Sequence, residues 1–111
     1  MKRLLLSSLL MLFTTWFVSA QTVNISGTVT DLNNGQPVAG HPVYIMTDSS
    51  SGVFFYYNQV TTNNQGFYSD LVPVPANLQV VFYIGTLDCN NDFITQTAIA
   101  SNGQITADFS I

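Results

Sequence analysis

The chain reads as an all-β protein, a sandwich of seven short antiparallel strands preceded by a targeting segment. Three observations predict this. Hydrophobicity alternates with a period of two along one run after another, with no stretch carrying the 3.6-residue period of a helix. Turn clusters rich in Asn, Gly, Ser and Pro separate those runs at even spacing. The 111 residues leave room for one domain, and residues 21–111 can build a sandwich-sized core without a disulfide.

Residues 1–20 read as a signal peptide. Lys2 and Arg3 form a basic n-region, Leu4 to Val18 an apolar core, and Val18-Ser19-Ala20 a small-residue cleavage site. The alternative is an uncleaved anchor, but the apolar run is shorter than the roughly 20 residues that span a bilayer. It also contains Ser7, Ser8, Thr14 and Thr15. A lipid anchor would need a Cys after the cleavage point, where Gln21 stands. The expected mature chain is one domain over residues 21–111, secreted or held in the periplasm or at the cell surface, with no membrane span after cleavage.

Losing the leader changes the charge. Lys2 and Arg3 are the only basic residues, so a net −4 becomes −6. All six acids are Asp: Asp31, Asp48, Asp70, Asp88, Asp92 and Asp108. A chain without Lys or Arg cannot neutralise phosphates by counterion release, which excludes nucleic acid as a partner. It also lacks the polybasic patch that draws proteins to anionic lipid.

The first strand is expected over Thr22 to Asp31, with Val23, Ile25 and Val29 on one face and Thr22, Asn24, Ser26, Thr28 and Thr30 on the other. Gly27 falls on the apolar face, where a missing side chain implies a bulge or a close neighbour. Asp31 to Gly35 form a turn, Pro37 and Pro42 bracket a short connection, and the second strand follows at Val43 to Asp48. After Ser49-Ser50-Ser51-Gly52, the third strand runs from Val53 to Thr61; its opening Val-Phe-Phe-Tyr-Tyr sends aromatics to both faces, so both should be covered. Thr62 to Gly66 turn the chain into a fourth strand, Phe67 to Val72, which Pro73 and Pro75 should end because proline supplies no ladder donor.

Leu78 to Thr86 contains the continuous apolar run Val80 to Ile84, the pattern of a central strand. A polar loop at Asp88 to Asp92 leads to the sixth strand, Phe93 to Ala100, in which Phe93, Thr95, Thr97 and Ile99 alternate with Ile94, Gln96, Ala98 and Ala100. Asn102-Gly103 then signals a tight hairpin, and Ile105, Ala107, Phe109 and Ile111 form one face of the seventh strand. The chain ends at Ile111 in mid-alternation, which leaves a longer parent protein open.

Three stretches together resemble a carboxypeptidase-regulatory-like domain. They are Ile25-Ser26-Gly27-Thr28-Val29-Thr30-Asp31, then Gly35-Gln36-Pro37-Val38-Ala39-Gly40 with Val43, then Thr62 to Gly66 followed by Phe67-Tyr68. The resemblance covers Ile25 to Val72. It implies an Ig-like, prealbumin-like (transthyretin-like) antiparallel sandwich of seven strands, used as an accessory module in secreted and surface proteins of Gram-negative bacteria. Such modules are generally non-catalytic spacer, docking or adhesion units. Two departures bear on loop geometry: Asn63 or Asn64 replaces the usual acidic residue of the second turn, and Pro73-Val74-Pro75-Ala76-Asn77 replaces the usual Pro-Gly ahead of the fifth strand. Hydrolases on this sandwich need several His and Arg residues, and self-crosslinking pilin modules need a Lys. The mature chain offers one His and neither Lys nor Arg.

The residues that could carry chemistry are few. His41 alone titrates near neutrality, yet a general base needs a positioned partner, so a solvent-facing turn histidine and no enzyme activity are expected. Asp88, Asn90 and Asp92 place oxygen side chains at the first, third and fifth positions of a calcium-like loop. Phe93 and Ile99 stand where an EF-hand needs Gly and Glu, so calcium would occupy only a looser site and a plain Asx turn competes with it. Phe54, Phe55, Tyr56 and Tyr57 with Tyr44 could make an aromatic platform, Phe55, Tyr57 and Tyr44 being its candidate ligand-binding residues for carbohydrate or another domain. Ordinary cross-strand packing competes with that reading. Asn24-Ile25-Ser26 matches a glycosylation acceptor that matters only in a eukaryote. Cys89, the one cysteine, is buried, pairs with another chain, or has lost a partner beyond Ile111. The expectation is a non-catalytic module for protein interaction, adhesion or spacing, whose partner is a neighbouring domain or another protein chain; a small-ligand module is the alternative.

Overall fold

The computed structural model describes residues 20–47, 54–76 and 78–111, and every regular element among them is a strand. The expected leader up to residue 19 lies outside the described residues, as do 48–53, where the second strand should end and the third begin. The strands are β1 (Ala20–Thr30), β2 (Pro42–Thr47), β3 (Tyr57–Thr61), β4 (Phe67–Pro75), β5 (Val81–Leu87), β6 (Phe93–Ile99), β7 (Gln104–Thr106) and β8 (Phe109–Ser110). They form two sheets, β4-β1-β7 with β8 also on β1, and β3-β2-β5-β6.

The inner faces of the sheets share one core. Val23, Ile25 and Val29 of β1, Tyr68, Val72 and Val74 of β4, and Ile105, Ala107 and Phe109 meet Val43 and Ile45 of β2 and Phe82 and Ile84 of β5. The period-two alternation read from the sequence therefore separates inside from outside, giving a sandwich-like fold. β5 is central, between β2 and β6, as its apolar run predicts. Buried Thr47, Thr62 and Thr86 all make hydrogen bonds; Thr86, for example, donates to the Pro42 carbonyl at 2.7 Å.

Four expectations are corrected. β4 continues through Pro73 and Pro75, which lie opposite Thr22 and Ala20. The Val29 amide bonds the Gly66 carbonyl at 2.8 Å, and counting along the ladder puts both prolines at positions whose nitrogens face away from β1. An edge strand tolerates proline there. Second, the sheets are not wholly antiparallel, because β7 and β8 run parallel to β1. Third, Asn102 and Gly103 do adopt the positive φ angles of a tight turn, 54° and 73°, and Ser101 pairs with Gln104. Beyond that pair the chain parts: β6 stays in one sheet and β7 joins the other, so the turn links sheets rather than closing a hairpin.

The fourth correction concerns strand count. The seventh strand is two segments, making eight in all among the described residues. Both keep one register on β1, Asn24 opposite Gln104 and Val29 opposite Phe109, but the ladder breaks at Ala107 and Asp108. There the Ala107 carbonyl turns toward Gly27, so close that any Cβ on Gly27 would fall on it. The Tyr68 hydroxyl donates a hydrogen bond to the same carbonyl. Asp108 fills the gap: its Oδ1 accepts from the Thr28 amide at 2.9 Å and the Thr28 hydroxyl at 3.1 Å. Gly27 is thus the close-approach position its place on the apolar face implies.

Polar contacts tie the sheets along both open sides. On one, the Tyr56 hydroxyl donates to Asp70 Oδ2 at 2.7 Å and Asn58 Nδ2 reaches the same oxygen at 3.3 Å. Partial burial first, and then the bond and charge of Asp70, push the Tyr56 phenol up to about 12. On the other, Gln96 Nε2 donates to the Asp108 carbonyl at 2.6 Å. Burial, reinforced by the Asp108 charge, also raises the Tyr68 phenol above its ordinary value.

Candidate interaction face

The outer face of the β3-β2-β5-β6 sheet carries two of the exposed aromatics among the described residues, Tyr57 and Phe93. Strand alternation fixes which residues point there. Inward Val43, Ile45 and Thr47 leave Pro42, Tyr44 and Met46 outward on β2; inward Phe82, Ile84 and Thr86 leave Val81, Tyr83, Gly85 and Leu87 outward on β5. Register carries the same face to Tyr57 opposite Met46, and to Phe93 and Ile99 opposite Leu87 and Val81. Tyr57 is 55% exposed, and Phe93 and Ile99 are each 49% exposed. No described residue on this face is charged.

A hollow of about 300 Å³ lies on the face, lined by Tyr44, Met46, Tyr57, Leu87 and Phe93. Gly85 shapes it. Gly85 lies opposite Tyr44 on one side and Thr95 on the other, and an added Cβ would overlap the Phe93 ring. With no side chain there, the Tyr44 and Phe93 rings meet in a tilted pair, centroids 5.8 Å apart at 58°. Such pairs add to the stabilisation that burial alone provides.

Of the expected platform, Tyr44 and Tyr57 come together at the hollow. Phe55 is 72% exposed and does not line it, while Phe54 and Tyr56 pack partly buried against the core. Phe54 to Tyr56 precede β3 rather than belonging to it, and the exposure of Phe55 overturns the expectation that both faces are covered there. Phe93, Leu87, Met46 and Gly85 complete the site without having been singled out from sequence. The alternation Phe93, Thr95, Thr97, Ile99 was the available signal, but only register places it beside Tyr44.

His41 departs from a solvent-facing turn residue. Its ring is half-buried and Nε2 lies 2.7 Å from the Leu87 carbonyl, so that nitrogen carries the proton. Its amide donates to Thr62 Oγ1 and its carbonyl accepts from the Thr62 amide. This ties the entry of β2 to the ends of β3 and β5. In the 88–92 loop, Asp88 Oδ1 accepts from the Asn90 amide at 2.8 Å and the Asp92 amide at 2.9 Å, and Asn91 takes a positive φ of 63°. These bonds make an Asx turn in which Asn90 and Asp92 point to solvent, and no three His, Cys, Asp or Glu side chains gather at metal-binding distances among the described residues. Cys89 is exposed in that loop, not buried. In the second turn, Asn63 Oδ1 accepts from the amides of Gln65 and Phe67. No described helix is long and apolar enough to cross a membrane.

No protein-family model matches the chain, and no curated protein sequence matches it. Among solved structures, a 9R-lipoxygenase from Cyanothece is similar at a TM-score of 0.42 and 11% identity, over 80% of this chain and 16% of the lipoxygenase chain. A likeness at that level carries no argument about activity.

Proposed function

We propose that the chain is an exported, non-catalytic sandwich module of the carboxypeptidase-regulatory-like kind, and that it acts by contact with another protein through the outer face of the β3-β2-β5-β6 sheet. The observation that carries this reading is the uncharged aromatic face around Tyr44, Tyr57 and Phe93, with the hollow that these residues line together with Met46 and Leu87. Exposed apolar patches of this kind mark contact sites, and aromatic anchors in pockets supply much of an interface's energy. The leader at residues 1–20, the motifs between Ile25 and Val72 and the absence of Lys, Arg and Glu from the mature chain support export and argue against catalysis.

The test compares radical footprinting of the protein in its source cells with that of the isolated protein. Tyr57 and Phe93 are expected to be protected in the cell and modified in isolation, with Leu32, 71% exposed elsewhere, modified in both. Equal modification of Tyr57 and Phe93 in the two settings would overturn the reading. The hollow also supports a second one, since its volume lies at the lower end for small-ligand pockets. Its lining offers little beyond tyrosine hydroxyls to orient a sugar. A glycan array that binds the protein and loses binding in Tyr44→Ala/Tyr57→Ala would favour this second reading.

A further inference from the structure

We propose that β6 is a strand-addition edge whose partner is β6 of a second copy of this chain, aligned antiparallel about a two-fold axis through Gln96. This goes beyond the contact face, because it concerns the edge of the sheet and not its surface.

An unpaired strand edge offers a row of free amide and carbonyl groups, and folded proteins usually blunt such edges. Three of the four edges here are blunted. β4 lacks amide hydrogens at Pro73 and Pro75. β3 is short, and Asn58 and the preceding Tyr56 tie it to Asp70 across the sandwich. The β7 and β8 edge is broken at Ala107 and Asp108 and carries a charge there. β6 shares only a tie across the sandwich, from Gln96 Nε2 to the Asp108 carbonyl at 2.6 Å, and that bond uses a side chain on the inner face and none of the strand's backbone groups. It is seven residues long, FITQTAI, with no Pro, Gly or charged residue.

Its free groups can be assigned. The Asp88 amide bonds the Asp92 carbonyl at 2.9 Å, so alternation along the ladder turns the backbone groups of Ile94, Gln96 and Ala98 toward β5. Those of Phe93, Thr95, Thr97 and Ile99 point outward, and none of them makes a backbone hydrogen bond outside the strand ladders among the described residues.

The sequence of β6 identifies the occupant, because its pattern reads the same in both directions. An antiparallel pairing centred on Gln96 sets Phe93 against Ile99, Ile94 against Ala98, Thr95 against Thr97, and Gln96 against its own copy. Apolar, aromatic–aliphatic and Thr–Thr pairs are each favourable across strands, and no like charges meet. The half-exposed Phe93 and Ile99 would cover one another at both ends. A two-fold contact needs such self-complementarity, and this register uses all four outward-pointing residues. The result is one eight-stranded sheet with two hollows on a single face.

The test starts with sedimentation of the full chain expressed with its own leader and purified, which should give the mass of two chains. Thr95→Lys/Thr97→Lys sets Lys against Lys across the axis and should give the mass of one, as should Thr95→Glu/Thr97→Glu. Mixing the two variants should restore the two-chain species, a rescue that misfolded protein could not give. Register is tested with Gln96→Cys in a Cys89→Ser background. Facing residues at a non-hydrogen-bonded site have α-carbons about 4.5 Å apart, within disulfide range, so oxidation should cross-link the copies. A single-chain mass for the parent at its highest soluble concentration would overturn the proposal, as would dimeric Lys variants, a mixture that stays monomeric, or a folded Gln96→Cys protein that resists cross-linking. Loss of in-cell protection at Tyr57 would leave this test untouched, so the two readings fail separately.

Discussion

Tyr44 and Phe93 stand on strands separated by β5, yet their ring centroids lie 5.8 Å apart. Neighbouring strands are about 4.8 Å apart, so side chains two strands distant meet only when the strand between leaves space. Gly85 leaves it. The aromatic pair and the hollow beside it are one feature with one cause.

Gly85→Ala should therefore fold and lose the hollow's shape. The new methyl meets the end of a half-exposed Phe93 ring and Thr95 Cγ2 at 3.0 Å, groups that can move outward, so stability should fall by only about 1 kcal/mol. Ring-current shifts at Tyr44, read by NMR, should move toward those of Phe93→Ala. Unchanged Tyr44 shifts would mean that Gly85 does not set the pair.

Gly27→Ala should behave very differently despite the identical chemical change. Its Cβ meets the Ala107 backbone carbonyl first and the buried Tyr68 hydroxyl next, and the strands on both sides are held in a ladder before and after this point. A cost of about 3 kcal/mol, the upper range for overpacking, is expected. Tyr68→Phe removes the hydroxyl that donates to the same carbonyl and should cost about 1–3 kcal/mol. Urea midpoints should rank wild type above Tyr68→Phe, and Tyr68→Phe above Gly27→Ala.

These contrasts show what the sequence could reveal. The alternation of Val23, Ile25 and Val29, the apolar run before Ile84 and the odd placing of Gly27 each report a local rule, and the core follows from them. Pairing partners do not, because alternation says which face a residue takes and nothing about its neighbour across the sheet. Hence Tyr57 and Tyr44 were visible as aromatics, while Phe93 joined them only through register. Phe55 was visible too, yet it stands apart from the hollow. Pro73 and Pro75 misled for a related reason: proline stops a central strand, and only the topology makes β4 an edge.

Asp108 supplies an acceptor where the ladder of β1 loses one, so the shape of its side chain matters more than its charge. Asp108→Ala should leave the Thr28 amide without its partner and lower stability by about 1 kcal/mol. Asp108→Asn keeps an Oδ1 and should recover most of the loss. Hydrogen exchange at the Thr28 amide is the readout, with fast exchange expected in the Ala variant and protection in the Asn variant. Equal exchange in all three proteins would show that the carboxylate is not the acceptor in solution.

Alkaline pH should unfold this protein through its tyrosines. The Tyr56 phenol rises from its ordinary value of 10 to about 12 in the folded chain, and burial together with the Asp108 charge raises Tyr68 as well. Above pH 10 the unfolded chain gives up these protons while the folded chain keeps them, so the unfolded state binds fewer and stability falls as pH rises. The contribution is complete below pH 10 and is lost as pH climbs through about 12. Phenolate absorbance should show some of the five tyrosines ionising late, in step with loss of the folded circular-dichroism signal. Tyr56→Phe removes one late proton and should flatten the fall in stability between pH 10 and 12, while costing stability at neutral pH through the lost bond to Asp70. If all five tyrosines ionised together near pH 10 with the fold intact, neither phenol would be held as the Asp70 and Ala107 contacts require.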